Sequence, residues 1–128
     1  MNAYESGDYD TAVNEFKEAI SYDGSNADYY IHLGMAYVEQ KSYDEALGYF
    51  NQAEGCAEND DQKALLNRGR GIACLYQGDY QTAIKWFGDA LNISSQSNDI
   101  RIDTLYYKAE AEQKSGDYQA AVQSYGRY

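Results

Sequence analysis

The residues of this chain that could take part in metal or nucleophile chemistry are few: one histidine, His32, and two cysteines, Cys56 and Cys74. A zinc site needs several Cys or His ligands, most of them closely spaced, and two distant cysteines with one histidine do not supply that pattern. His32 is expected on the outward side of a helix. Both cysteines are expected to be buried free thiols that pack as small apolar side chains. The sequence therefore predicts no catalytic residue, no cofactor and no metal site.

A glycine-rich segment, Gly69-Arg70-Gly71, has the composition of a phosphate-binding loop but not its setting. Such a loop follows a strand and opens a helix, and no alternating strand pattern precedes this segment. The segment is therefore expected inside a helix, with Gly71 as a small packing residue.

The chain is strongly acidic, with a formal net charge of −11 over 128 residues. A field of that sign repels phosphate backbones and anionic lipid, so nucleic-acid and membrane-surface partners are disfavoured. No apolar run approaches the roughly 18 residues of a membrane span, so this segment is not expected to insert into a membrane. The acidic residues are scattered along the chain, which indicates a role in solubility. The sequence does not distinguish between a cytoplasmic and a cell-envelope location for the protein.

A short phrase recurs four times, as Gly-Asp-Tyr or Lys-Ser-Tyr followed by an alanine three residues after the tyrosine and an aromatic residue four further on. The period is about 34 to 38 residues, which is typical of a solenoid of stacked helix pairs. The four tyrosines are Tyr9, Tyr43, Tyr80 and Tyr118, and the four aromatic residues are Phe16, Phe50, Phe87 and Tyr125.

This phrase and its spacing resemble the tetratricopeptide repeat, whose unit pairs a helix A with an antiparallel helix B. The resemblance implies an all-α, right-handed superhelical solenoid of about three and a half repeats. Arg70 and Lys108 depart from it, since they stand where the family has leucine. The second repeat matches most fully, at Tyr30, Leu33, Gly34, Tyr37, Tyr43, Ala46, Phe50 and Ala53.

The repeat boundaries follow from this match: a partial repeat over 1–26, repeats over 27–60 and 61–97, and a partial repeat over 98–128. Because Met1 aligns with the middle of a helix A, we expect the chain to be a fragment of a longer protein. The uncovered ends of the array also predict end-to-end self-association.

Capping residues and periodicity locate the helices. Helix A is predicted over 27–40, 61–77 and 99–115, and the second helix B over 44–57. Asn26 is the predicted N-cap of the first of these. Glycines at 7, 78 and 116 are natural C-terminal stops, and Lys41 in the equivalent place predicts a costlier turn.

A second apolar stripe follows helix A of the second repeat, where Ile31, Met35 and Val38 lie on a different side from the packing face. The resemblance implies that this stripe lines a concave groove that binds extended peptides or helices. The equivalent positions are Arg68, Ile72 and Leu75 in the third repeat and Tyr106, Glu110 and Gln113 in the fourth, with Tyr4 extending the groove and Tyr76 at its edge.

The sequence thus predicts a non-enzymatic protein-interaction module with a protein or peptide partner of unknown identity. The alternative is a structural or self-associating segment that packs against the rest of its parent, with the stripe as ordinary core. A chaperone-receptor role is disfavoured, because Arg68 alone does not form the clamp of Lys, Arg and Asn that some family members use.

Overall fold

The computed structural model describes residues 9–93 and 96–116, which form six helices and no β-strand. The all-α prediction is confirmed. Tyr4, Gly7, Tyr118 and Tyr125 lie outside the described residues. The helices are α1 (Tyr9–Tyr22), α2 (Ala27–Glu39), α3 (Tyr43–Cys56), α4 (Asp60–Gln77), α5 (Tyr80–Leu91) and α6 (Asn98–Lys114).

Polar side chains begin the A helices α2, α4 and α6. The Oδ1 atom of Asn26 accepts a hydrogen bond from the backbone N–H of Asp28 at 3.0 Å, which confirms the predicted cap. Asn59 and Ser97 cap α4 and α6 in the same way. Such caps satisfy backbone donors that the first turn leaves unpaired. The predicted A-helix boundaries accordingly agree with the structure to within one residue.

The ends of α2 and α4 share one hydrogen-bonding pattern. The backbone N–H of Ser42 donates to the carbonyl of Tyr37, and that of Asp79 donates to Cys74, each at 2.9 Å. This closure requires a left-handed residue just before the donor. Gly78 fills that place with φ 86°, whereas Lys41 fills it with φ 64°, so the predicted costlier turn lies at Lys41.

The helices stack with the A helices on the inner side of the array. Cα atoms of α2 and α4 approach within 8 Å, and so do those of α4 and α6. Within the described ranges, the B helices α1, α3 and α5 make no such approach to one another. An array whose A helices touch while its B helices are held apart curves toward the A side, so α2, α4 and α6 form the inner surface.

Two phenylalanines and three glycines set the spacing of the stack. Phe50 and Phe87 are fully buried. A Cβ atom added at Gly34 would lie 2.6 Å from the ring of Phe50, and one at Gly69 would lie 2.5 Å from the same ring. At Gly71 the distance to the ring of Phe87 would be 2.4 Å. Gly71 is therefore a packing residue as predicted, and Gly69 has the same role in a place where the sequence indicated none.

Arg70 occupies the position where the repeat pattern has leucine, and its side chain is only 3 % exposed. Its guanidinium donates to Asn51 at 2.7 Å, to Asn67 at 2.8 Å and to Glu54 at 2.9 Å. Its Cζ also lies 4.6 Å from the ring centre of Trp86. The hydrogen bond and positive charge of Arg70 lower the pKa of the Glu54 carboxyl below its ordinary value. This arginine thus links α4 to both neighbouring B helices.

Candidate functional site

The residues with the most reactive side chains, one histidine and two cysteines, lie on three different helices, α2, α3 and α4. Cys74 is buried and Cys56 is only partly buried, since it is the last residue of α3. The prediction of free thiols is confirmed, but the predicted burial of Cys56 is wrong. His32 is exposed and stacks on Phe16 at 5.4 Å. No group of His, Cys, Asp or Glu in residues 9–93 and 96–116 is arranged to hold a metal ion.

A hollow of 260 Å³ opens on the inner surface where the three A helices meet. Four predicted groove residues line it: one from α2, two from α4 and one from α6. Asp103 and Tyr107 also line it and were not predicted, because they lie one turn before and one residue after the position that the repeat alignment indicated. The four predicted residues are Met35, Arg68, Ile72 and Tyr106.

Most of the predicted apolar stripe is closed rather than open. Ile31 is 5 % exposed, and Val38 and Leu75 are each 2 % exposed. Ile72 is also 2 % exposed, although it forms part of the floor of the hollow. The expectation of an exposed apolar centre is therefore wrong at these four residues. The physical reason is the close approach of neighbouring A helices, whose apolar side chains fill the space between them.

The side of the hollow is closed by an ion pair between two A helices. Nη1 of Arg68 lies 3.4 Å from Oδ2 of Asp103, so α4 and α6 are connected across the inner surface. The Arg68 side chain is 21 % exposed, and its Nε atom is buried and has no hydrogen-bond partner within the described part of the chain. Arg68 is thus held by Asp103 at one edge of the hollow.

Aromatic rings continue the surface from the hollow toward the C-terminal ends of the A helices. Tyr107 stacks on Phe87 at 6.1 Å and meets the ring of Tyr106 edge-on at 6.0 Å. Tyr76, one turn beyond Ile72 on α4, is 46 % exposed. Burial is the main reason that the pKa values of Tyr76 and Tyr107 are raised.

Two carboxylates follow the hollow by one helical turn, since Glu39 is four residues after Met35 on α2 and Glu110 is four residues after Tyr106 on α6. Glu39 and Glu110 each contribute to raising the pKa of both Tyr76 and Tyr107, because negative charge opposes ionisation of a phenol. Glu110 lies 3.6 Å from Lys114 on its own helix. Gln113, the last predicted groove residue, is exposed. Glu39 was not predicted, since its relation to Tyr76 depends on how α2 packs on α4.

A larger hollow of 490 Å³ lies at the opposite ends of the A helices and is lined mainly by acids and amides. Its polar side chains form hydrogen bonds with groups at and near the N-terminal ends of the helices. Asp61 accepts the backbone N–H of Ser97 at 2.7 Å, and the Gln62 side chain joins Asp28 at 3.2 Å to the backbone of Glu58 at 2.7 Å. This region therefore has a structural explanation.

Two family models described as Tetratricopeptide repeat match the chain, over residues 1–62 and 60–128. The chain belongs to the tetratricopeptide repeat family, a class of helical repeat modules that mediate protein interactions and are generally non-enzymatic. No curated protein matches it. In the described residues, no helix is both long and apolar enough to cross a membrane.

Solved structures with a similar fold include the crystal structure of MamA, with a TM-score of 0.74 and 19 % identity over 97 % of this chain and 68 % of that one. A second MamA crystal structure gives 0.72 and 19 %, over 97 % and 64 % of the two chains. The structure described as MamA MSR-1 C2 gives 0.68 and 20 %, over 97 % and 67 %. At these identities the likeness shows the fold alone, and this chain spans about two thirds of each of those chains.

Proposed function

We propose that this chain is a non-enzymatic interaction module that receives a peptide or helix of a protein partner on the inner surface of its A helices. The observation that carries the proposal is the hollow between α2, α4 and α6. Met35 and Ile72 give it an apolar floor, and Tyr106, 46 % exposed, forms its rim. An apolar floor with a small number of polar groups at the edge is typical of a recognition site.

The volume of the hollow is more suitable for a single side chain of a bound peptide than for a whole small-molecule ligand. Pockets for small-molecule ligands have volumes of roughly 300–1,000 Å³, whereas this one measures 260 Å³ and is continuous with the open inner surface. It suits one apolar anchor of a longer segment. The net charge of −11 also favours a protein partner over nucleic acid or an anionic membrane.

The alternative, a structural segment that packs against the rest of its parent, is not needed to explain the burial of the apolar stripe. It required a neighbouring part of the parent protein to cover the apolar stripe. The helices of this chain already bury Ile31, Val38 and Leu75, so no additional segment is needed to explain those residues. The hollow at Met35 is the part of the stripe that stays open.

Selection of a random 12-residue peptide display library on the wild-type protein tests the proposal. We expect Met35→Glu to weaken the selected peptides at least about tenfold in calorimetry, because it places a charge where an apolar anchor is buried. Gln52→Glu adds the same charge on the exposed outer face of α3 and should leave affinity unchanged. Ile72 is unsuitable for this test, since a charge at a residue 2 % exposed is expected to unfold the protein.

Tyr106→Ala provides a second test at a partly exposed ring, with Tyr22→Ala, at 84 % exposure, as its control. Melting temperatures of all variants should remain close to that of the wild type. Selected peptides that bind the Met35 and Tyr106 variants as tightly as the wild type would show that the inner surface is not the site.

A further inference from the structure

The inner surface has a second region next to the hollow, which we call the Tyr76 patch: Glu39, Tyr76, Tyr107 and Glu110. It is formed by the C-terminal parts of α2, α4 and α6. Tyr76 lies one helical turn from Ile72, so the patch begins about 6 Å from the floor of the hollow. A segment that placed one side chain in the hollow would therefore run over this patch.

The helix ends around the patch carry negative potential that few basic residues offset. A helix C-terminus has a partial negative charge that basic residues in the last turn usually offset. Neither α2 nor α4 has a basic residue in its last turn, and α2 ends with Glu39 itself. The basic residues near these ends are Lys114 in the last turn of α6 and Lys41, which follows the C-cap of α2.

Two of the nearby cations are paired with acids, whereas Lys41, two residues after Glu39, is exposed. Arg68 is paired with Asp103, and Lys114 with Glu110. Glu39 is exposed and makes no ion pair within residues 9–93 and 96–116. Lys114 is itself 49 % exposed, and an i,i+4 pair of that exposure is weak. The patch therefore presents negative charge beside an accessible aromatic ring.

This combination matches one type of side chain. A Lys or Arg cation is attracted to the face of a tyrosine ring and to carboxylates beside it. Building on the proposed groove function, we propose that the partner segment is basic and amphipathic, and that it places a Lys or Arg side chain on Tyr76 between Glu39 and Glu110 while an apolar side chain fills the hollow.

The distance between the two sites predicts the spacing in the partner. About 6 Å along the groove corresponds to about two residues of an extended chain or about four of a helix. We expect the selected peptides to be enriched in Lys or Arg at that separation from an apolar residue, relative to the unselected library.

The decisive measurement uses the most enriched peptide as a synthetic probe. Glu39→Gln combined with Glu110→Gln should weaken it about tenfold at low salt, because two charges beside the cation are lost. The control variant combines Glu18→Gln with Glu58→Gln, which changes the net charge equally at exposed positions outside the patch. It should weaken peptide binding less than about twofold. The four side chains are accessible enough that all variants should melt near the wild-type temperature.

Substitutions at Tyr76 show whether the peptide binds its aromatic ring or its hydroxyl group. Tyr76→Phe keeps the aromatic face and should bind within about twofold of the wild type, whereas Tyr76→Leu should lose about fivefold. Equal losses in both variants would overturn the ring contact.

The outcomes distinguish this inference from the function on which it rests. Peptides that depend on Met35 but show no basic preference, or that respond equally to both charge-matched double variants, overturn the inference and leave the groove function intact. Peptides that ignore Met35→Glu, or a library with no enrichment, overturn both.

Discussion

At the scale of single residues, glycine and phenylalanine determine how closely the helices of this chain approach. The ring of Phe50 lies between Gly34 of α2 and Gly69 of α4, at distances that leave no room for a methyl group. The repeat pattern indicates Gly34 as the small residue, whereas Gly69 precedes the corresponding glycine of its own repeat by two positions. The second close contact is therefore a property of this particular chain.

We expect Gly69→Ala to lower the free energy of unfolding by about 1–2 kcal/mol. Its methyl group would lie 2.5 Å from the Phe50 ring, and overpacking of about 1–3 kcal/mol exceeds the helix-propensity gain of up to about 1 kcal/mol. Gly48→Ala is the control, because nothing lies within 4 Å of that position in α3, and it should gain about 0.5–1 kcal/mol. Urea unfolding measures both. A gain at Gly69 would contradict the packing described here.

At the scale of the helical elements, two A helices end in the same way with different residues. Lys41 and Gly78 both have positive φ and both precede a 2.9 Å closing hydrogen bond. The left-handed conformation costs an L-residue about 1 kcal/mol more than glycine. The second repeat therefore retains its turn at some cost to stability.

Substitutions at Lys41 and at Gly78 should change the free energy of unfolding in opposite directions. Lys41→Gly should raise the free energy of unfolding by about 0.5–1 kcal/mol, and Gly78→Ala should lower it by about 1 kcal/mol. The loss at Gly78 is a backbone effect, since no atom lies within 4 Å of its missing Cβ. Thermal unfolding with intact helical circular dichroism is the measurement. Changes of the same sign would show that side-chain contacts determine the turn.

At the scale of the whole molecule, the chain has a strongly acidic net charge and accessible aromatic side chains on its first helix. Phe16 of α1 is half-buried, and Tyr22, the last residue of α1, is 84 % exposed. A net charge of −11 opposes association of two copies. Salt screens such repulsion, because the Debye length falls from roughly 30 Å at 0.01 M to roughly 10 Å at 0.1 M.

We therefore expect end-to-end self-association to strengthen with both protein concentration and salt. Light scattering should show an average mass above that of the monomer at high concentration in 0.5 M salt, and a lower mass at low salt. Tyr22→Ser should reduce the effect if α1 takes part. A strict monomer under all of these conditions would contradict the expectation.

The sequence by itself determined the features that depend on neighbours along the chain. Asn26 caps the start of α2, Gly78 ends α4, and Ala46, Phe50 and Ala53 share one face of α3, because caps, left-handed turns and i,i+4 faces are set within one or two helical turns. The repeat period then made the all-α stack predictable. Helix boundaries agreed with the structure to within one residue for the same reason.

Only the tertiary structure decided which part of the second stripe stays open. Ile31, Val38 and Leu75 are buried because α2, α4 and α6 approach closely on the inner side, and the hollow at Met35 remains between them. The pair of Arg68 with Asp103 and the contact of α2 with α4, which brings Glu39 toward Tyr76, likewise join different repeats. Such contacts depend on interhelical distance and angle, which arise from packing of the whole array and have no local signature in the sequence.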